Sequence, residues 1–174
     1  MRHRGLLGVA AIGLTYVAVL TGAAAWAKAD VTRASCPPEE TLIQVDTRAR
    51  VLCLCQAGRE IGHFRVALGR GGVDKRAEGD GRTPLGRYSL APATPSTRYH
   101  LFLAVGYPTM EQVKKGFTGS AIGVHGPHIG FAWLGHATAW ADWTLGCIAL
   151  STRSEVEHVS TWIGDHDVRE IVIL

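Results

Sequence analysis

Little in the 174 residues favours one sign of charge: 18 Lys and Arg stand against 15 Asp and Glu, a formal net charge of +3. Two of the basic residues, Arg2 and Arg4, sit at the extreme N-terminus, and setting them aside leaves 16 against 15. A near-neutral domain offers no large electrostatic footprint, which excludes nucleic acid as a partner. No internal repeat and no low-complexity tract runs through the chain, so solenoids and coiled coils are excluded as well. A His-Glu-x-x-His zinc motif is missing, and Gly119-Ser120-Ala121 lacks the Gly-x-Ser-x-Gly elbow of serine hydrolases. There are only 4 cysteines, and none follows the N-terminal apolar run directly, as a lipoprotein would require.

What is there fits one compact, turn-rich domain: 47% of the residues are hydrophobic and 21 are glycine. Ahead of that domain, Arg2 and Arg4 are followed by an uncharged run from Gly5 to Ala27 that ends in Ala25-Trp26-Ala27. Small residues at that spacing mark a signal-peptidase site, with Lys28 as the new N-terminus. An uncleaved membrane anchor is the competing reading, because the run is long enough to span a bilayer. Its Gly, Ala and Thr content favours residues 1–27 as a cleaved signal peptide. On either reading the chain is exported to the periplasm or cell envelope, and its only membrane contact is an uncleaved N-terminus. Residues 28–41, with Cys36 and Pro37-Pro38, read as a linker to a domain over 42–174.

Within that domain Leu42–Asp46 and Val51–Cys55 read as strands around a Thr47-Arg48-Ala49 turn. Ile61–Leu68 is a third strand behind a Gly58-Arg59 hairpin. A glycine-rich loop then runs from Gly69 to Gly81 and closes on Thr83-Pro84-Leu85-Gly86, whose residues are suited to a turn. Further strands are expected at Arg87–Leu90, Tyr99–Val105, Ala121–Val124 and Val168–Leu174, with a short helix at Thr109–Lys115. Thr152-Arg153-Ser154-Glu155 has capping-box spacing, and Val156, Val159 and Ile163 share one face of a helix over Arg153–Ile163. The expected fold class is mainly β with accessory helices, α+β.

The chemistry concentrates between His125 and Cys147. A histidine leaves a strand next to Gly126, and a cysteine follows Gly146 in a turn ahead of the capped helix. A thiol is mostly protonated at neutral pH, so a nucleophilic cysteine needs a nearby imidazole. Glycine permits a bend that aims backbone N–H groups at a substrate oxygen. The structural alternative is a buried or disulfide-bonded Cys147 beside a loop histidine.

His125-Gly126 followed by Asp142-Trp143-Thr144-Leu145-Gly146-Cys147-Ile148-Ala149-Leu150 resembles the signature of the YkuD-type L,D-transpeptidases, a histidine, a spacer and then Ser/Thr-x-Gly-Cys. Gly79-Asp80-Gly81-Arg82-Thr83-Pro84-Leu85-Gly86-Arg87-Tyr88 is similar to a stretch upstream in that family. Leu145 stands where many members have His, Ala149 stands where many have Arg or Asn, and the spacer is longer than the commonest form.

The resemblance implies a β-sandwich or barrel-type catalytic domain, and Cys147 attacking the peptidoglycan stem peptide at the bond between its third residue and D-alanine. His125 would be the proton acceptor and donor, oriented by the Gly126 carbonyl. Leu145, Gly146 and Cys147 N–H groups, with Thr144 Oγ, would hold the oxyanion. An amine would resolve the thioester into a crosslink or an attached envelope lipoprotein, or water would hydrolyse it. The resemblance implies no cofactor and no metal.

Two rival readings use the same residues: a zinc hydrolase ligated by His125, His128, His136 and Cys147, and a non-catalytic wall-binding module. His136 reads as a surface residue, and His128 as a spacer residue able to line the cleft. In an oxidising compartment the other cysteines should pair. Cys53 and Cys55 lie two apart on one strand, too far for a direct bridge, so Cys36 reaches only one of them, with Cys55 favoured. Two bridges would consume Cys147. Phe131, Trp133, Trp140 and Trp143 are expected to pack the spacer, with a substrate wall as the alternative.

Overall fold

The computed structural model describes residues 35–174, together with Met1. The expected signal peptide or anchor, and most of the expected linker, lie outside the described residues. Among the described residues nine strands form one sheet: β1 (Thr41–Asp46), β2 (Val51–Gln56), β3 (Arg59–Ala67), β4 (Gly86–Ser89), β5 (Thr94–Ser96), β6 (His100–Ala104), β7 (Gly123–His125), β8 (Ile148–Leu150) and β9 (Glu170–Ile173). Their spatial order is β4-β9-β1-β2-β3-β8-β7-β6-β5. The pairs β1–β9 and β7–β8 are parallel, and the other pairs are antiparallel. Two helices, α1 (Met110–Lys114) and α2 (Arg153–Asp165), accompany the sheet, as the mainly β expectation requires.

Strand alternation explains how β1 and β2 are buried on both faces. Ile43, Val45, Leu52 and Leu54 turn into the main core. On the opposite face Leu42, Cys53 and Cys55 gather with Cys36 in a smaller cluster. Cys36 and Cys55 are disulfide-bonded there, which joins the segment before β1 to β2. Cys53 and Cys147 are outside the disulfide, and Cys53 donates its thiol hydrogen to Glu60 Oε2 at 3.4 Å.

Helix α2 begins with the expected capping box. Thr152 Oγ1 accepts the Glu155 N–H at 3.2 Å, and Glu155 Oε2 accepts the N–H groups of Thr152 at 3.1 Å and Ser151 at 2.8 Å. Val156, Val159 and Ile163 are buried in the core from this helix, each contributing about 1.5–3 kcal/mol. The helix thereby backs the part of the sheet that carries the site.

Four local differences from the sequence expectation matter. The β2–β3 turn is Ala57-Gly58, both at positive φ (49° and 76°), and Arg59 already belongs to the strand. Two-residue hairpins favour that geometry because it matches strand twist. Strand β7 starts at Gly123 rather than Ala121, since Ala121 itself has φ of 56° and cannot continue a ladder. His125 is the last residue of this strand, because β6 and β8 pair with it on either side. Finally β5, β8 and a 3₁₀ segment over Ala132–Ala139, broken at Gly135, occupy stretches where no strand or helix is expected from sequence.

Candidate active site

Adjacent strands bring His125 and Cys147 together. Phe102 on β6 is the antiparallel partner of His125, and Ala149 on β8 is its parallel partner. Because Val124 pairs with Ile148, Cys147 sits just before β8, beside the Gly123 end of β7. Both side chains line one cavity of about 460 Å³, with Arg98, Tyr99, Ser120 and Trp143 among its other walls.

The His125 ring is only 1% exposed. It stacks on Tyr99 with centroids 3.9 Å apart, and the Trp143 ring lies 5.9 Å away. His125 Nδ1 is 2.7 Å from the Gly126 carbonyl oxygen. A carbonyl only accepts, so Nδ1 carries the hydrogen and Nε2 keeps its lone pair. Burial drives the imidazole pKa down to about 4; the Gly126 carbonyl opposes that shift and His128 adds to it. The imidazole is therefore neutral at pH 7.

Cys147 donates its thiol hydrogen to the Ala121 carbonyl oxygen at 3.5 Å. Burial pushes the thiol pKa up, while a hydrogen bond from the Gly123 N–H and the Lys75 charge pull it down. The net direction is upward, so thiol and imidazole rest as a neutral pair.

Thr144 and Gly146 build the turn under Cys147. The Gly146 N–H donates to Thr144 Oγ1 at 3.1 Å, and Thr144 Oγ1 donates to the Cys147 carbonyl oxygen at 2.8 Å. The Thr144 backbone is held in turn by Leu68 O at 3.1 Å and by the Arg70 N–H at 2.9 Å. Gly146 has φ of 128°, and a Cβ there would stand 2.5 Å from Arg82 O. Only glycine fits that conformation and approach. In this geometry the one hydrogen of Thr144 Oγ1 points into the turn, and the Gly146 N–H is directed at Thr144 Oγ1.

The spacer divides into anchors and exposed rings. Trp143 packs beside the cavity, its indole N–H donating to Thr138 O at 3.0 Å. Trp133 and Trp140 are 81% and 76% exposed, so the packing expectation fails for them. The kinked 3₁₀ path turns both rings outward, and the segment is held instead by buried Thr138, whose Oγ1 lies 3.0 Å from Ser151 O. His128 rests edge-on against Tyr99, and His136 is at the surface, 3.4 Å from Glu155. Leu145 is exposed at the cavity mouth, whereas Ala149 is buried within the sheet. Among the described residues no group of three or more His, Cys, Asp or Glu side chains is placed to hold a metal ion.

Sequence reasoning missed Tyr99, Arg98 and Ser120. Tyr99 looked like an ordinary strand residue, and its stacking depends on a pairing across residues 99–125 that carries no local signal.

Residues 40–173 match the YkuD family, the L,D-transpeptidase catalytic domain. No curated protein matches the chain. Among solved structures, the fold is similar to the helical cell shape determining protein Pgp2 from Campylobacter jejuni, with a TM-score of 0.62 and 22% identity over 76% of this chain and 46% of that one. It is also similar to Bd1075 from Bdellovibrio bacteriovorus (TM-score 0.56, 19% identity, 82% of this chain and 51% of that one). An L,D-transpeptidase from Mycobacterium smegmatis gives a TM-score of 0.50 at 15% identity, over 78% of this chain and 58% of that one. The chain thus spans only about half the length of the structures it resembles. With the match running from before β1 to the end of β9, the chain belongs to the YkuD family of L,D-transpeptidase catalytic domains.

Proposed function

We propose that the chain is a cysteine L,D-transpeptidase acting outside the cytoplasm on peptidoglycan stem tetrapeptides. One observation carries the reading: His125 and Cys147 share a cavity, and the Nδ1–H of His125 is committed to Gly126 O, leaving Nε2 free to take a proton.

The reaction starts from the neutral pair. As Cys147 Sγ attacks the carbonyl carbon of the third stem residue, its proton passes to His125 Nε2. The Leu145 and Cys147 N–H groups stabilise the oxyanion, since the Gly146 N–H is engaged by Thr144. Collapse of the tetrahedral intermediate breaks the bond to D-alanine, whose amine leaves with the proton from His125, and a thioester remains on Cys147. An acceptor amine, from a second stem peptide or an envelope lipoprotein, attacks the thioester and restores the thiol. Water in place of the amine gives a carboxypeptidase.

Incubation with defined tetrapeptide muropeptides, followed by mass spectrometry of the products, tests the assignment. A crosslinked dimer formed by the wild type and not by Cys147→Ala is the expected result. A shortened monomer identifies hydrolysis instead, and no product would leave the wall-binding reading standing.

A further inference from the structure

A buried cation lines a cavity that shares wall residues with the cavity of Cys147, and it has no role in the steps above. Lys75, in the glycine-rich loop, is only 4% exposed. Its Nζ donates to Asp80 Oδ1 at 2.8 Å and to Ala77 O at 3.0 Å. Asp80 also accepts the N–H groups of Arg76, Ala77 and Arg82 at 2.8–3.0 Å. Burial alone would raise the Asp80 pKa, but Lys75 and these N–H groups together hold it well below the usual carboxylate range. The pair is therefore a fixed ion pair rather than a loose surface contact.

The surroundings are shaped for the lysine stem. Gly119 has φ of 101°, and a Cβ there would come within 3.1 Å of Lys75 Cε. Tyr107 donates its hydroxyl hydrogen to the Lys75 carbonyl oxygen at 3.1 Å, which holds the backbone. Lys75 lines a second cavity of about 340 Å³ that shares Ser120, Ala121 and Leu145 with the cavity of Cys147. Ala121 is also the residue whose carbonyl accepts the thiol hydrogen.

An attacking thiolate needs a nearby positive charge. The groups around it are His125 from β7 and Arg98 and Tyr99 from the β5–β6 turn in its own cavity, and, from the glycine-rich loop, Lys75 and Glu78 in the adjoining cavity with Asp80 paired to Lys75. His125 is buried and neutral, Arg98 and Glu78 are exposed, and Asp80 is ion-paired. Only Lys75 is both cationic and fixed. We propose that Lys75 is a positioning residue for the nucleophile: its ammonium, held by Asp80 behind the Ala121–Leu145 wall, stabilises the Cys147 thiolate. Lys75 does not touch the reacting atoms, and it acts through the field at Sγ. The inference rests on Cys147 as nucleophile, but its test reads the thiol itself and needs no peptidoglycan substrate.

The test is the pH dependence of Cys147 alkylation by iodoacetamide, an uncharged probe, read site by site by mass spectrometry in the full chain. Lys75→Met keeps the aliphatic stem and is expected to slow alkylation at fixed pH about tenfold, equivalent to a thiol shifted up by about one unit. Lys75→Arg restores most of the rate. Asp80→Asn, which removes the opposing carboxylate, speeds alkylation at least about threefold. A merely structural role would move Lys75→Met and Asp80→Asn in the same direction, and that result overturns the proposal. So does an unchanged alkylation rate in Lys75→Met. If Lys75→Met does not fold, Asp80→Asn decides alone: a rate at or below wild type overturns the proposal.

Discussion

His125 gives its Nδ1 hydrogen to the carbonyl oxygen of Gly126, 2.7 Å away in the next residue of the chain. No carboxylate takes part, so nothing in this contact offsets a positive ring, and burial keeps the imidazole neutral. Cys147 and His125 therefore rest uncharged, unlike a preformed thiolate–imidazolium pair.

The ultraviolet absorbance of the thiolate distinguishes the two. Titration of the wild type against Cys147→Ala is expected to show one step, above the ordinary thiol range, and none near neutrality. A thiolate already present at pH 6 would contradict the neutral pair.

The same burial makes stability depend on acid. Between an unfolded-state pKa of about 6.5 and the native value of about 4, the unfolded chain binds a proton at residue 125 that the native state does not. Stability is whole above pH 6.5 and declines as the pH falls towards 4, by about 3 kcal/mol in all from this residue. Urea unfolding at a series of pH values checks it: His125→Gln should lose this part of the acid dependence, and an unchanged slope would refute the assignment.

Thr144→Val removes a hydroxyl that serves two partners in a buried turn, the Gly146 N–H and the Cys147 carbonyl. A loss of about 1–3 kcal/mol in unfolding free energy is expected. Because the turn positions Sγ, kcat should fall on the order of tenfold or more with KM little changed. Steady-state kinetics with a tetrapeptide donor read the split, and a change in KM alone would assign Thr144 to substrate binding instead.

Much of this arrangement is written in local pattern. The Thr152–Glu155 capping box, the helical face of Val156, Val159 and Ile163, and the alternation in β1 and β2 depend on neighbours within a few residues, so periodicity exposes them. The motif residues Thr144, Gly146 and Cys147 are legible for the same reason, as one turn. Tyr99 and Lys75 are not. Each meets the site through chain segments far apart in sequence, and neither residue type is unusual where it stands. The outward turn of Trp133 and Trp140 was also illegible, because the kink at Gly135 reverses the expectation that tryptophans anchor a loop.

The disulfide gives a prediction away from the site. Cys36 and Cys55 close a loop with a separation of 19 residues, and such a loop contributes about 3 kcal/mol through the entropy of the unfolded chain. Cys36→Ser with Cys55→Ser should lower the urea midpoint accordingly and leave Cys147 alkylation unchanged. If Cys147 alkylation changes instead, the bridge is coupled to the site.

The account stands most directly on a covalent bond to Cys147. Acid quenching during turnover of a tetrapeptide donor, followed by the intact mass of the protein, reads that bond. An adduct equal to the donor less D-alanine, mapped to Cys147 and missing in Cys147→Ala, is the predicted result. Turnover by Cys147→Ala at the wild-type rate, with no adduct on either protein, would contradict it.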